Sequence, residues 1–385
     1  MDVLFPYNKP VTGKQLLGRE PELRAFANLL AQGENVVIYE PPKTGRNSLV
    51  QQGFYTMKSA GTRFEPVQLS LLDIRTLSAF ALRLASSAIQ TAGPSAADYA
   101  RVAQELLAGT HFVFDENRFG AFGEPLSLQG ELDPTDLRAA FLLPYRIGSR
   151  TGVKRIVVID EFQNVMQTED GDSICQLLEE VFKTLPAELA GCASYVFLGS
   201  QVNAMHEIFG VKRWFWRQAE RLRIPPIDTR DIIDHVVKGF LATGKVVDRD
   251  LLLGVCRLFR NNIWYINHFC AICDSLSRGY IMEQILKEAL DSLVAVHEPA
   301  FVAIMNDLTT FQVSLLRAIL DGHTRFSSAE VIRQYNLNSS ANVRRLKDAL
   351  GKKEIVTFDE DDNPVVLDPL FEYWVRKEYF NMSVA

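Results

Sequence analysis

No run of apolar residues in this 385-residue chain reaches the roughly 18 needed to cross a bilayer. The opening MDVLFPYNKP has neither the basic nor the apolar stretch of a secretory signal. Neither a membrane span nor an export signal is therefore expected, and the expected location is the cytoplasm. Cysteine is sparse: Cys175, Cys192, Cys256, Cys270 and Cys273 are odd in number and scattered among apolar residues, which predicts reduced thiols rather than a disulfide framework. Positive charge is not in excess either. With 41 Lys and Arg against 47 Asp and Glu, the formal net charge is -6, so the surface has no general affinity for nucleic acid or anionic lipid, and any DNA contact must be local. There is no internal repeat and no low-complexity tract, which removes solenoids and long disordered linkers. What remains is core material, 47% hydrophobic against 23% charged, suited to a folded chain of two or three domains.

Short apolar, β-rich runs alternate with helical patterns over the first part of the chain, at Asn35–Tyr39, Phe64–Ser70, Arg155–Ile159, Tyr195–Gly199 and Leu222–Ile224. Strands separated by helices imply an α/β fold with a parallel sheet covered on both faces. RIVVID and YVFLG are almost continuously hydrophobic, as central strands buried on both sides must be. The spacing predicts a parallel-sheet domain over 1–228, interrupted by an irregular insertion at about 108–132. After RIPPIDTRD the periodicity is helical, which predicts a helical lid over 229–307. From residue 308 to 385, short helices followed by EIVTFDEDDNPVVL predict a winged-helix domain, its hairpin turning at Asp359, Glu360, Asp361 and Asp362.

The segment NVVIYEPPKTGRNSLV sets a strand before a loop containing Gly45 and a helix-compatible run after it. That is the context of a phosphate-binding loop, in which backbone N–H groups and a helix N-terminus face the phosphates, a lysine reaches the outer phosphates and a Ser or Thr binds Mg2+. Against the pattern GxxxxGK(S/T), Glu40, Arg46 and Asn47 are substitutions. About a hundred residues later RIVVIDEFQNV ends a strand in Asp160 and Glu161, a pair that could sit beside the loop on the neighbouring strand; Asp160 would hold Mg2+ through water and Glu161 would polarise an attacking water. A solvated turn or helix cap is the alternative. YVFLGSQ ends in Ser200 and Gln201 at the carboxyl edge of the sheet, where open α/β folds bind ligands. For Ser200, phosphate sensing and capping of the following helix both remain open.

The ordered set LLGREPELRAFANLL, the loop, VVIDE, FLGSQ and FWRQAERLRIPPIDTRD resembles the archaeal-type ATPases of the AAA+/STAND group, and VVLDPLFEYWVR resembles the end of that family's winged helix. The resemblance implies a P-loop fold, ATP or ADP with Mg2+ as cofactors, and a location of Gly18, Arg19 and Glu20 against the adenine. It also implies a nucleotide-facing role for Arg217. A solvated partner role for Arg217, among Lys212, Arg213, Arg221 and Arg223, is the alternative.

Pro41 and Pro42 bring no N–H donors, but Thr44, Gly45, Arg46, Asn47 and Ser48 do, so a phosphate cradle survives around Pro42, Lys43 and the residues after it. Arg46 keeps a positive charge on a broad planar fork instead of a compact ammonium. Asn47 offers a carbonyl oxygen to Mg2+, with Ser48 as a substitute. Glu40 would repel a triphosphate unless it points away or pairs with Lys43 or Arg46. These substitutions favour binding over catalysis. In the winged helix Ser339 or Ser340 caps a helix carrying Arg344, Arg345 and Lys347, yet from Thr310 onward ten Lys and Arg stand against eleven Asp and Glu, and the acidic tip would be repelled by DNA. His268, Cys270 and Cys273 lie in a helical pattern without a second ligand pair and read as core rather than a zinc site, and the aromatic stretches KRWFWRQ and NNIWYINHF read as packing surfaces. The sequence thus predicts an ATP-binding switch with slow hydrolysis, coupled to lid and winged-helix movement and acting on a protein partner; an oligomer is compatible with it. The alternatives are a non-hydrolysing nucleotide binder and a winged-helix DNA regulator.

Overall fold

The computed structural model describes residues 4–359 and 361–383; Glu360 of the expected acidic tip lies outside them. The chain divides into two compact units. A sheet unit comprises Glu20–Glu40 and Leu49–Ile224, and a helical unit takes in the chain up to Arg19, Pro41–Ser48 and everything from Pro225 onward.

The first half of the chain runs α1 (Glu20–Gln32), β1 (Val36–Tyr39), α2 (Arg46–Ser59), β2 (Phe64–Ser70), α3 (Leu77–Ile89) and α4 (Ala96–Leu106). It continues through β3 (Phe112–Phe114), α5 (Glu116–Phe122), β4 (Leu126–Leu128), α6 (Pro134–Thr151), β5 (Lys154–Asp160), α7 (Gly171–Lys183), β6 (Ala193–Gly199), α8 (Val202–Phe209) and β7 (Glu220–Arg221). Five strands form one sheet in the order β2-β5-β6-β1-β7, and every pairing in it is parallel. Alternation along each strand explains why both faces are covered. Val36 and Ile38 pack with Phe26 and Leu30 of α1 and with Leu49, Val50 and Phe54 of α2. Val37 and Tyr39, one residue out of phase, pack with α3, α6 and α7 on the other face.

Two strand expectations need correction. The Asp160–Glu161 strand does not neighbour the loop strand, because β6 lies between β5 and β1. The last strand pairs at Glu220–Arg221 rather than at Leu222–Ile224. Leu222 and Ile224 are apolar because they fill the core beside α2, while Ile224 N–H is donated to the Glu40 side chain at 3.3 Å instead of to a strand.

The segment expected to be irregular is an ordered β3–α5–β4 unit, with β3 and β4 antiparallel. Asp115 caps α5 by accepting the Arg118 N–H, and Gly123, at φ 70°, ends it in the left-handed region that glycine tolerates best. The unit is tied to α6 through Asp136, fully buried, which accepts the backbone N–H groups of His111 at 2.7 Å and Asp133 at 2.8 Å and meets His111 Nδ1 at 2.8 Å.

The helical unit runs α9 (Thr229–Ala242), β8 (Val246–Val247), α10 (Arg249–Leu258), α11 (Ile263–Leu276), β9 (Tyr280–Ile281) and α12 (Glu283–Asn306). Then follow α13 (Thr310–Leu320), α14 (Ala329–Gln334), α15 (Ser340–Lys352), the antiparallel pair β10 (Val356–Phe358) and β11 (Pro364–Val366), and α16 (Pro369–Trp374). Three helices followed by a hairpin make the winged helix. One continuous core runs from Phe5 through Phe240, Phe269, Cys270 and Cys273 to Leu315, Leu346 and Trp374, so the helices on either side of residue 308 are packed as one body. No described helix is long and apolar enough to cross a membrane, and all five cysteines are free thiols.

The Asp136 hydrogen bond and charge raise the pKa of His111 above its ordinary 6.5. A raised folded-state pKa means that the pair's stabilisation is complete below the unfolded value and is lost as pH rises through the folded value. The difference in urea midpoint between the parent and His111→Gln should therefore shrink from pH 5.5 to pH 9. An equal difference at both pH values would show that the charged pair contributes nothing.

Candidate nucleotide site

Within the helical unit, Pro41–Ser48 turns sharply between a strand end and the first turn of α2. Two residues of the turn have left-handed backbone, Lys43 at φ 70° and Gly45 at φ 91°, and the Thr44 hydroxyl donates to the Pro41 carbonyl at 2.9 Å. Such turns point successive N–H groups into one concavity, and the start of a 14-residue helix adds the positive end of its dipole. Ser48 Oγ accepts the Val11 N–H at 3.0 Å, which fastens the N-terminal segment to the loop.

The concavity opens into a cavity of about 280 Å³, walled by the loop, by Pro6–Val11 and by Trp264 and Asn267 of α11. Lys9, Arg19, Lys43 and Arg46 line it, and no Asp or Glu is among the described lining residues. Four cations, with no carboxylate among the described lining residues, give this lining an excess of positive charge.

The structure sorts the expected binding residues. Arg19, Lys43, Thr44, Gly45, Arg46, Asn47 and Ser48 all line the cavity. Arg19 is buried, and its guanidinium donates to the Pro225 carbonyl at 2.5 Å. Gly18 is left-handed at φ 60°, and a Cβ there would meet Ile227 at 3.1 Å, so it fixes the approach of Arg19 from outside the wall. Pro42 and Glu20 are exposed and are not among the lining residues. Arg46 and Ser48 are buried while Asn47 is exposed, which puts Asn47 on the solvent side of the loop.

Sequence reasoning missed the aromatic wall. NNIWYINHF reads as packing surface, yet Trp264 lines the cavity and the Lys43 ammonium lies 4.2 Å from its ring centre and 4.6 Å from that of Tyr265. A lysine in a glycine-favouring turn, together with a Trp-Tyr pair on a helix, was the available signal. Tyr7 of the N-terminal segment, stacked on His268 at 4.0 Å, carried none.

In the sheet unit, parallel strands bring the ends of β1, β5 and β6 to one edge, and with them Glu40, Asp160 and Ser200. Asp160 Oδ1 accepts the Glu161 N–H at 3.0 Å. Glu161 is left-handed at φ 55°, a strained state for a side chain of this size that recurs at functional sites. Its Oε2 accepts the Ser200 hydroxyl at 2.5 Å and Gln163 Nε2 at 2.5 Å. Ser200 therefore does not cap α8: the N-cap is Gln201, without a side-chain bond. Glu161 and Ser200 form one cluster. Arg217 is exposed on a left-handed turn at φ 63°, outside those hydrogen bonds.

Among solved structures, the Walker-type ATPase paby2304 of Pyrococcus abyssi aligns over 97% of this chain and 99% of its own, at 15% identity and a TM-score of 0.67. The chain shares its fold. It is thus an α/β fold with a parallel central sheet, helices around it and a C-terminal winged helix. The Aeropyrum pernix ORC2 protein in its ADP form aligns over 95% of this chain and 93% of its own, at 13% identity and a TM-score of 0.50. A family model described as "Probable winged helix domain" matches residues 299–377. No curated protein sequence matches the chain significantly.

The turn itself can be tested. A Cβ on Gly45 would meet no atom within 4 Å, so Gly45→Ala should act through backbone strain alone, costing about 1–2 kcal/mol. A lowered urea midpoint, partly restored by Gly45→Asn, is the expected result; identical midpoints for the parent and both variants would mean that the left-handed turn is not populated in solution.

Proposed function

We propose that this chain binds ATP and ADP in the cavity beside Lys43–Ser48 and works as a nucleotide-dependent switch with slow hydrolysis. The carrying observation is the lining: four cations, no carboxylate among the described lining residues, and a helix N-terminus around one concavity. Backbone N–H groups of Thr44 to Ser48 and the Arg46 guanidinium are assigned to the phosphates. Gly18, Arg19 and Glu20 are assigned to the adenine side, where the Arg19–Pro225 bond holds the chain entering that wall. The ADP form of the ORC2 protein supports an adenine nucleotide as the ligand class.

Asn47 and Asp160 are each assigned to Mg2+, a hard cation that takes oxygen ligands and keeps several waters: Asn47 is exposed and carries an amide oxygen, and Asp160 carries a carboxylate. When bound, Mg2+ would neutralise charge developing on the phosphate oxygens. Glu161 is assigned as the group that orients water, with Ser200 and Gln163 holding its carboxylate through Oε2. Arg217 is assigned a secondary, nucleotide-facing role. Arg46 and Asn47 in place of lysine and a hydroxyl residue make turnover slow, because the broad guanidinium does not take a lysine's place against the outer phosphates.

For the winged helix a protein partner is the better reading. Lys347, on the helix that would meet DNA, is ion-paired with Asp362 of the acidic wing and lies 4.3 Å from the Phe358 ring centre, so its charge is already committed. A DNA role would need the exposed Arg344 and Arg345 to outweigh the acidic tip. Five free cysteines agree with a cytoplasmic location.

Mass spectrometry of protein purified under native conditions should find ADP or ATP, and calorimetry on stripped protein should return binding. Glu161→Gln should lower ATP turnover by about 100-fold or more while leaving ADP affinity within a few-fold, whereas Arg46→Ala should weaken ADP itself. Absence of any adenine-nucleotide binding would overturn the reading; binding with turnover indifferent to Glu161→Gln would leave a non-hydrolysing binder.

A further inference from the structure

Lys43 stands where the turn demands a left-handed backbone, with φ 70°, a conformation in which an L side chain is strained. Its side chain reaches the Tyr265 hydroxyl, to which Nζ donates at 3.1 Å, while the ammonium lies over the faces of Trp264 and Tyr265. Burial lowers the Lys43 pKa, and the negative charge of Asp368 opposes that shift. The same Tyr265 hydroxyl donates its own proton to Asp368 Oδ2 at 2.7 Å. Asp368 is the N-cap of α16: its Oδ1 accepts the N–H groups of Leu370 at 2.9 Å and Phe371 at 3.2 Å. A continuous chain of donors and acceptors therefore links the phosphate loop to the last helix of the winged-helix segment.

Each link depends on the one before it. A hydroxyl that accepts from a cation is a stronger donor, so the Lys43 contact strengthens the bond from Tyr265 to Asp368. That bond orients the carboxylate that caps α16. α16 runs directly into a π-helical turn at Val375–Tyr379, and a helical segment this short relies on its cap and its packing.

We propose that Lys43, Tyr265 and Asp368 form a relay that reports occupancy of the phosphate loop to the winged-helix segment. The proposal rests on the nucleotide reading above. A diphosphate or triphosphate in the loop is a full anion beside Thr44, and it competes with a neutral phenol and two ring faces for the Lys43 ammonium. When Lys43 turns to the phosphate, Tyr265 loses its cationic donor, its bond to Asp368 weakens and the cap of α16 loosens. The strained backbone at Lys43 is then accounted for: glycine would suit the turn better, but it would carry no signal.

Hydrogen exchange of the α16 amides in the full-length protein, with and without saturating ADP, tests the relay, alongside a calorimetric titration of the same samples. In the parent, ADP should speed amide exchange across residues 370–374 by about 5-fold, the loss expected for a weakened cap. Tyr265→Phe keeps the ring beneath the ammonium and removes the hydroxyl; exchange there should be fast already without ADP and gain nothing from it, with ADP affinity within about 3-fold of the parent. Lys43→Gly, which relieves the turn, should give the same ADP-independent exchange and shows that the effect does not arise from a disturbed core around residue 265. The relay is overturned if ADP binds the parent and α16 exchange does not change, or if the response survives in both variants. If the titration shows no ADP binding to the parent, the nucleotide reading falls, and the relay with it.

Discussion

A sheet whose strands all run the same way must be buried on both faces, and it must deliver every strand's carboxyl end to one edge. Both consequences shape this molecule. Burial on two sides explains the unbroken apolar runs Ile156–Ile159 in β5 and Tyr195–Leu198 in β6, with Val157 and Phe197 facing one layer of helices and Val158 and Leu198 facing the other. Convergence at one edge explains why residues as far apart in sequence as Glu40, Asp160 and Ser200 share a neighbourhood. The chemistry is collected by strand direction, and the loops decide only which groups are presented there.

β5 and β6 were legible because a doubly buried strand centre leaves few polar positions to blur it, and they exceed the expected runs by one or two residues. β2, an edge strand with Glu65 and Gln68 exposed, coincides with the run at Phe64–Ser70 through its buried Phe64, Val67 and Leu69. Strand order was not legible. Nothing in RIVVID or YVFLG says which is the neighbour of β1, since both are equally apolar and order is decided by crossover packing. The last strand escapes a reading of apolar runs for a related reason: Leu222 and Ile224 advertise burial, not pairing, and the ladder lies in the charged Glu220–Arg221 before them.

The candidate site divides along the same line. Loop residues from Lys43 to Ser48 could be found from their order, because successive N–H groups at a helix start need no particular side chain. The wall opposite them, made by Tyr7, Trp264 and Asn267, read as packing because aromatic pairs on a helix are common in cores, and its meaning comes from where the helical unit folds it. Ser200 was ambiguous for a third reason: capping and hydrogen bonding to a carboxylate use the same hydroxyl, and only the geometry around Glu161 separates them.

The placement of β6 between β1 and β5 sets a length scale. Neighbouring strands lie about 4.8 Å apart, so the ends of β1 and β5 are separated by roughly 10 Å. A single phosphate or sulfate ion is too small to touch both ends at once. Glu40, which follows β1, and Glu161, which follows β5, are in this way kept apart by one intervening strand, and Ser200, at the end of that strand, is bonded to the Glu161 side through Oε2.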